Sequence, residues 1–306
     1  MNRLNQEVIK RFKDLLGEEN VLVDEPMNRH TTFRIGGPAD LFLMPGTTEE
    51  IQKILALCKE CEIPFFILGN GSNLLVSDQG YRGAVIQIYK NLNQVFVHGH
   101  RIVAQAGALL STIAAAARNA SLTGFEFAGG IPGTLGGAAV MNAGAYGGEM
   151  KQVLEEVTAM TPAGEVIHIP ARELELEYRS SVIKKNHWIV LEAVIELQPG
   201  DEDEIRDTMR DLSQRRIDKQ PLEFPSAGST FKRPVGYFAG KLIMDAGLRG
   251  YRVGDAMVSE KHCGFVINVG EATAADVCQL MKDVSERVEA EFGVTLEPEV
   301  KFLGEF

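Results

Sequence analysis

Cysteine is scarce, with four in 306 residues. Cys58 and Cys61 form the one C-x-x-C, a helical pattern runs through it, and no second pair exists. That excludes a zinc site with four ligands at recognisable spacing and leaves free thiols. Cys263, beside His262, has no other triad member near it and reads the same way. Positive charge is also in deficit: 31 Lys and Arg against 42 Asp and Glu leave a net charge of −11. Phosphate contacts need a basic surface, so nucleic acid is excluded as the main partner. No apolar run approaches the roughly 20 residues a bilayer span needs, so no membrane partner is expected. The opening MNRLNQEVIKRFKDLL lacks a signal-peptide core and reads as an amphipathic helix with Val8, Ile9, Phe12, Leu15 and Leu16 on one face. A cytoplasmic protein is expected. Internal repeats and low-complexity tails are absent too.

What is present is a soluble composition, 45% hydrophobic and 24% charged, in a chain long enough for two or three domains. Glycine is concentrated in one stretch, Gly124 to Met150, GFEFAGGIPGTLGGAAVMNAGAYGGEM. Each glycine costs backbone entropy on folding, so the concentration needs a reason. Two readings stay open from the residues alone. The bare amides could wrap the phosphates and ribityl chain of a dinucleotide. Alternatively, the stretch is a tight Gly/Ala helix packed on a sheet.

Taken in order, Phe33, Ile35, Leu41 and Leu43 around Gly36-Gly37-Pro38 read as two short strands. Thr47 or Thr48 caps a helix through Ile51, Ile54, Leu55 and Cys58, and a buried strand PFFIL follows. Gly69-Asn70-Gly71-Ser72-Asn73-Leu74 begins like G-x-G-x-x-G, but Leu74 stands where the third glycine belongs and a turn follows instead of a helix. The Rossmann reading fails on that context, although the loop can still offer amides, a hydroxyl and an amide side chain to a pyrophosphate. Hairpins are expected around His98-Gly99-His100 and Pro162-Ala163-Gly164, a helix capped by Ser111, and a short helix ARELELEY. Pro199-Gly200 is the best boundary. Beyond it lie a helix from Asp201 to about Ile217, a helix over Phe238–Ala246, a strand GFVINV, a helix burying Val277, Leu280, Met281, Val284, Val288 and Phe292, and a last strand. Basic residues gather locally at Arg215, Arg216, Lys219, Lys232, Arg233 and Lys241.

The motifs NRHTTFRIGGPAD, LGNGSNLLVSD, FAGGIPGTLGGAAVMNAGAYG, YRSS, GSTFKRP and LEPEV, in this order, resemble the UDP-N-acetylenolpyruvoylglucosamine reductases over nearly the whole chain from about residue 28. Length, and the lack of a long insertion before Pro199, resemble the shorter of that family's two types, without the tyrosine loop. The resemblance implies a mixed α/β (α+β) flavin fold of the vanillyl-alcohol oxidase / p-cresol methylhydroxylase kind. Residues 1–90 and 91–199 would be two FAD-binding subdomains, and 200–306 an α/β substrate-binding domain, with the final strand free to return to the first subdomain. It implies non-covalent FAD, NADPH as reductant and UDP-N-acetylglucosamine enolpyruvate as substrate, in a monomer or weak oligomer. The competing reading is another FAD oxidoreductase of the same fold acting on an alcohol or hydroxy acid.

Carried onto this chain, the resemblance assigns FAD to Arg34, Ile35, Gly36 and Gly37, and to the loop Gly69, Asn70, Gly71, Ser72, Asn73 and Leu74. In the glycine-rich stretch it assigns Gly129, Gly130, Ile131, Pro132 and Gly133, then Gly136, Gly137, Asn142, Gly144, Ala145 and Tyr146. Hydride added to the methylene carbon of the enolpyruvyl ether pushes charge onto the carboxylate, which needs a cation and an acid nearby. By resemblance these are Arg179, next to Tyr178, and Glu299, whose proton burial would have to retain. Ser229 matches the family's proton donor, with Lys232 or a water near Lys219 as activator. Arg215 and Lys219, one helical turn apart, match the substrate's phosphate contacts, with Tyr178 and Lys232 also on substrate and Arg216 as alternate. Arg233 stands where some members have asparagine.

Overall fold

The computed structural model describes residues 5–306. The chain groups into two interleaved units, and it passes between them within three strands, Val21–Pro26, Pro38–Leu43 and Tyr81–Gln87, in the loop between Asn70 and Gly71, and within the helix Glu202–Lys219. One unit takes the described residues up to Val23, then Leu41–Asn70 and Gly83–Arg216; the other takes Asp24–Asp40, Gly71–Arg82 and Ile217–Phe306. Each buries its own apolar cluster.

In the first unit, the helix Gln6–Leu16 starts where the Asn5 side chain accepts the Glu7 N–H and buries Ile9, Phe12 and Leu16. The helix Thr48–Glu60 is capped by the Thr47 hydroxyl on Glu50 N–H and buries Ile51, Ile54, Leu55 and Cys58. Phe65–Leu68 pairs in parallel with Tyr81–Gln87, Leu68 opposite Gln87. It is the edge of a four-stranded sheet, which leaves Phe65 37% exposed and corrects the expectation of a buried strand. A five-stranded antiparallel sheet runs Val166–Pro170, Leu154–Met160, Ile189–Glu196, Arg101–Gln105, Val95–His98, with both expected hairpins in it.

Two helix expectations in this unit need correcting. Leu110–Asn119 is capped at Leu109, not by Ser111, because Leu110 N–H donates to Gly133 O at 3.1 Å and so finds its acceptor in the distant glycine-rich stretch. ARELELEY is helical only over Ala171–Glu173, as a single 3₁₀ turn, and Glu175 at φ +47° cannot prolong it.

In the second unit a four-stranded antiparallel sheet orders Ser226–Ser229, Phe265–Asn268, Ala256–Val258 and Arg252–Val253. The helix Ala274–Phe292 packs Val277, Leu280, Met281, Val284 and Val288 into this unit's core. It opens with a capping box between Thr273 and Asp276, and the Asp78 carboxylate accepts Ala274 N–H at 2.8 Å and Ala275 N–H at 3.0 Å. Lys301–Leu303 runs parallel to Leu74–Val76. Phe33 and Ile35 are buried but not in a strand: Arg34 between them sits at φ +56°, and the Thr31 hydroxyl donates to Ile35 O, closing a turn where the first of the two expected strands was placed, while the second stands as Pro38–Leu43.

Among the described residues, no helix is long and apolar enough to cross a membrane. The cysteines are free, and burial pushes the Cys58 thiol up to about 12.

Candidate active site

The residues assigned to flavin divide between the two units. In the first unit the two glycine-rich loops touch. Asn70 Nδ2 donates to Pro132 O at 2.8 Å, and a β-carbon on Gly69 would stand 2.5 Å from Thr134 Oγ1. The stretch from Gly129 is part loop and part helix. Its second part, Leu135–Met141, is a helix held on the segment 106–108: Leu135 N–H donates to Ala108 O and Gly136 N–H to Ala106 O, each at 2.8 Å. Its first part, Gly129–Gly133, is an open arc of backbone. A β-carbon on Gly130 would first meet the Arg216 side chain, at 3.0 Å from Nε, and one on Gly129 the tip of Met209 at 3.2 Å and then Ala114 Cβ at 3.4 Å. Gly129 N–H is spent on Glu126 O and Ile131 N–H on Ala128 O, and Pro132 has none, so the arc offers the amides of Gly130 and Gly133 to a flavin's pyrophosphate.

The helix ends at Asn142, left-handed at φ +43°. Its side chain accepts Lys151 N–H at 2.9 Å and donates to Glu149 Oε2 at 3.0 Å and Glu177 O at 3.3 Å. Beyond it, Ala145 pairs with Gly148 across a two-residue turn, Tyr146 at φ +53° and Gly147 at φ +88°. Asn142 therefore reaches the turn that carries Tyr178 and Arg179. That turn is closed by two bonds, Glu177 N–H to Ser180 O and Ser180 N–H to Glu177 O. It is anchored again where the Ser181 hydroxyl donates to Val140 O at 2.8 Å. Arg179 sits at φ +55°, an unusual backbone for an arginine, with its carbonyl on Lys184 Nζ and its guanidinium 5.0 Å from the exposed Tyr178 ring. Strain of this kind persists only where surrounding bonds over-determine it, as they do here.

In the second unit Gly71 packs its Cα against His30 O, and Thr32 N–H donates to Gly71 O. His30 itself bonds Glu25 Oε1 at 2.9 Å. Asn73 turns to protein: its Nδ2 donates to Glu299 O at 3.2 Å and its carbonyl accepts Lys301 N–H at 3.1 Å. Ser72 is half-buried and Leu74 buried. Arg34, Ile35, Gly36 and Gly37 line a cavity of about 680 Å³ with Asn28, Asp78, Phe224 and Thr273, and Gly71–Leu74 do not line it.

The same unit brings Ser229 and Glu299 close. Ser229 ends its strand opposite Phe265, and the next residue, Thr230, accepts Glu299 N–H at 2.8 Å and donates its own N–H to Gly264 O at 2.9 Å. Ser229 is exposed and Glu299 half-buried. Lys232 reaches the other way: its Nζ donates to Glu297 Oε2 at 2.7 Å and holds the Glu297 carboxyl below the usual carboxylate range. Arg233 covers the Phe238 ring at 4.0 Å. On the helix Glu202–Lys219, Arg215 pairs with Asp211 at 2.8 Å and Lys219 is exposed. Sequence reasoning passed over His262, whose Nδ1 accepts Gly264 N–H at 3.1 Å and whose pKa is lowered by burial and then by Lys219. It also passed over Gln87, the single polar residue in the run AVIQI.

A model of the UDP-N-acetylenolpyruvoylglucosamine reductase C-terminal domain matches residues 220–303, and a model of an FAD binding domain matches residues 39–170. The UDP-N-acetylenolpyruvoylglucosamine reductase of Agathobacter rectalis is 55% identical over 99% of this chain and 100% of its own length. The crystal structure of the corresponding reductase from Thermus caldophilus superposes with a TM-score of 0.79 at 35% identity, over 93% of this chain and 98% of that one. p-Cresol methylhydroxylase aligns with a TM-score of 0.50 at 16% identity over 95% of this chain and 65% of its own, a likeness of fold alone.

Proposed function

Because the chain belongs to the UDP-N-acetylenolpyruvoylglucosamine reductase family, we propose that it reduces the enolpyruvyl ether of UDP-N-acetylglucosamine enolpyruvate to the lactyl ether of UDP-N-acetylmuramate, for peptidoglycan synthesis. FAD, when bound, supplies hydride taken from NADPH to the methylene carbon of that ether. The chain's residues do the rest. Within the open arc Gly129–Gly133, the Gly130 and Gly133 amides meet the flavin's phosphates. Arg179 holds the substrate carboxylate, where charge accumulates as hydride arrives. Glu299 donates a hydrogen bond to the same developing charge. Ser229 delivers the proton to the carbon that becomes the lactyl stereocentre. Arg215 and Lys219 receive the diphosphate.

The observation that supports these roles is the bond from Glu299 N–H to Thr230 O at 2.8 Å, which holds the acid one residue from the serine donor. One titration tests the whole reading. The protein should carry a flavin spectrum that NADPH bleaches under anaerobic conditions, and colour should return on adding UDP-N-acetylglucosamine enolpyruvate. Recovery with oxygen alone, and none with the enolpyruvyl sugar, would refute it.

A further inference from the structure

Gln87 is 3% exposed, and its side-chain oxygen has no hydrogen-bond donor among the described residues. Buried acceptors are nearly always paired, so an orphan needs an explanation. Its place in the sheet supplies one. Ala84, Ile86 and Ile88 belong to the first unit's apolar cluster, so the alternation of the strand turns Gln87 to the opposite face, with Val85. Gln87 is the last residue of that strand and lies opposite Leu68, the last residue of its parallel partner. Ile88 N–H donates to Leu68 O at 2.9 Å, which sets the register one residue short of Gly69. Ligands of open parallel sheets bind beyond the carboxyl ends of the strands. Here those ends lead to Gly69 and Asn70, the pair tied to Thr134 and Pro132 of the glycine-rich stretch.

From this geometry we propose that Gln87 is a further flavin contact, its side-chain oxygen accepting a hydrogen bond from a sugar hydroxyl of FAD. The proposal rests on the flavin reading above. The pyrophosphate offers only acceptors, which suit the amides of the glycine arc. An orphan acceptor at the strand ends that lead to Gly69 and Asn70 calls for a donor, and the groups flanking the pyrophosphate that can donate are the hydroxyls of the ribityl chain and of the adenosine ribose.

The test is Gln87→Met, which keeps length and removes the acceptor. The full chain, stripped of flavin, is titrated with FAD and followed by quenching of flavin fluorescence. The variant should bind FAD about threefold to tenfold more weakly than wild type, the range of one net hydrogen bond. Its flavin-free form should melt higher than flavin-free wild type, because an unpaired buried oxygen is gone. ADP separates the two hydroxyl sources: weakening for both ADP and FAD assigns the adenosine ribose, and weakening for FAD alone assigns the ribityl chain. A FAD affinity within twofold of wild type overturns the proposal and leaves the flavin reading intact. A wild-type chain that binds no FAD overturns both. If the variant does not fold, wild type titrated with deoxyribose analogues of ADP and deoxyribityl analogues of FAD gives the same answer. A matching loss with one analogue supports the contact, and no loss with any of them refutes it.

Discussion

Ser229→Ala should divide the reaction into a half that is spared and a half that is crippled. The serine is exposed and its hydroxyl has no protein partner among the described residues, while its backbone pairing with Phe265 survives the change. Stability should therefore move by no more than about 0.5 kcal/mol. Glu299 stays in place, because its N–H is held by Thr230 O and not by the serine side chain. Losing one hydroxyl should weaken substrate binding by about 0.5–1.5 kcal/mol at most. Losing a general acid should slow the reoxidation of reduced flavin by the enolpyruvyl sugar by roughly 10²–10⁴, about 3–5 kcal/mol of barrier. Reduction by NADPH moves no proton to substrate carbon and should stay near the wild-type rate. Stopped-flow absorbance of the flavin reads the halves separately. Equal slowing of both would mean that Ser229 positions the flavin or the strand, and the donor assignment would fall.

Asp78→Ala removes a carboxylate that caps Ala274 and Ala275 N–H. It should cost about 1 kcal/mol in urea unfolding, and Asp78→Asn less; no change would mean that the Thr273–Asp276 box suffices. His262 has a native pKa lowered from 6.5, so below about pH 6.5 the unfolded chain binds more protons than the folded one and stability falls with pH until the native pKa is passed. The melting temperature of wild type should therefore drop more between pH 7 and 5.5 than that of His262→Gln, and parallel curves would contradict it.

Helices were the most legible part of the chain. Thr47 caps where its side chain suggests, and the periodic set from Val277 to Val288 is the buried face, with Phe292 only half-buried at its end. The failures share a cause: a distant partner decided the local structure. Leu109 replaces Ser111 as cap because a carbonyl at Gly133 meets the helix end, and no window around residue 110 contains that carbonyl. Phe33 and Ile35 alternate like a strand, but the left-handed backbone at Arg34 is not written in an arginine. At the site, glycines and the ordered motifs were readable, and so was the division of the glycine-rich stretch into two possibilities. Which part was loop and which helix depended on Ala106 and Ala108. Nothing in the sequence around Gln87 marks it, and only burial without a donor gives it meaning.

The pairing of Lys301–Leu303 with Leu74–Val76 bears on how the chain is made. About 230 residues separate the two strands, and at roughly 5–20 residues per second a ribosome needs on the order of 10–45 s to cross that gap. Throughout that interval the apolar segment Leu74-Leu75-Val76, fully buried in the finished protein, has no strand to pair with and waits as an open edge. The Asn73 carbonyl waits too, since its partner is the amide of Lys301. An unpaired apolar edge of this kind invites aggregation and chaperone capture. A lesion near residue 302 would extend that exposure indefinitely, leaving Leu74–Val76 without its distant partner.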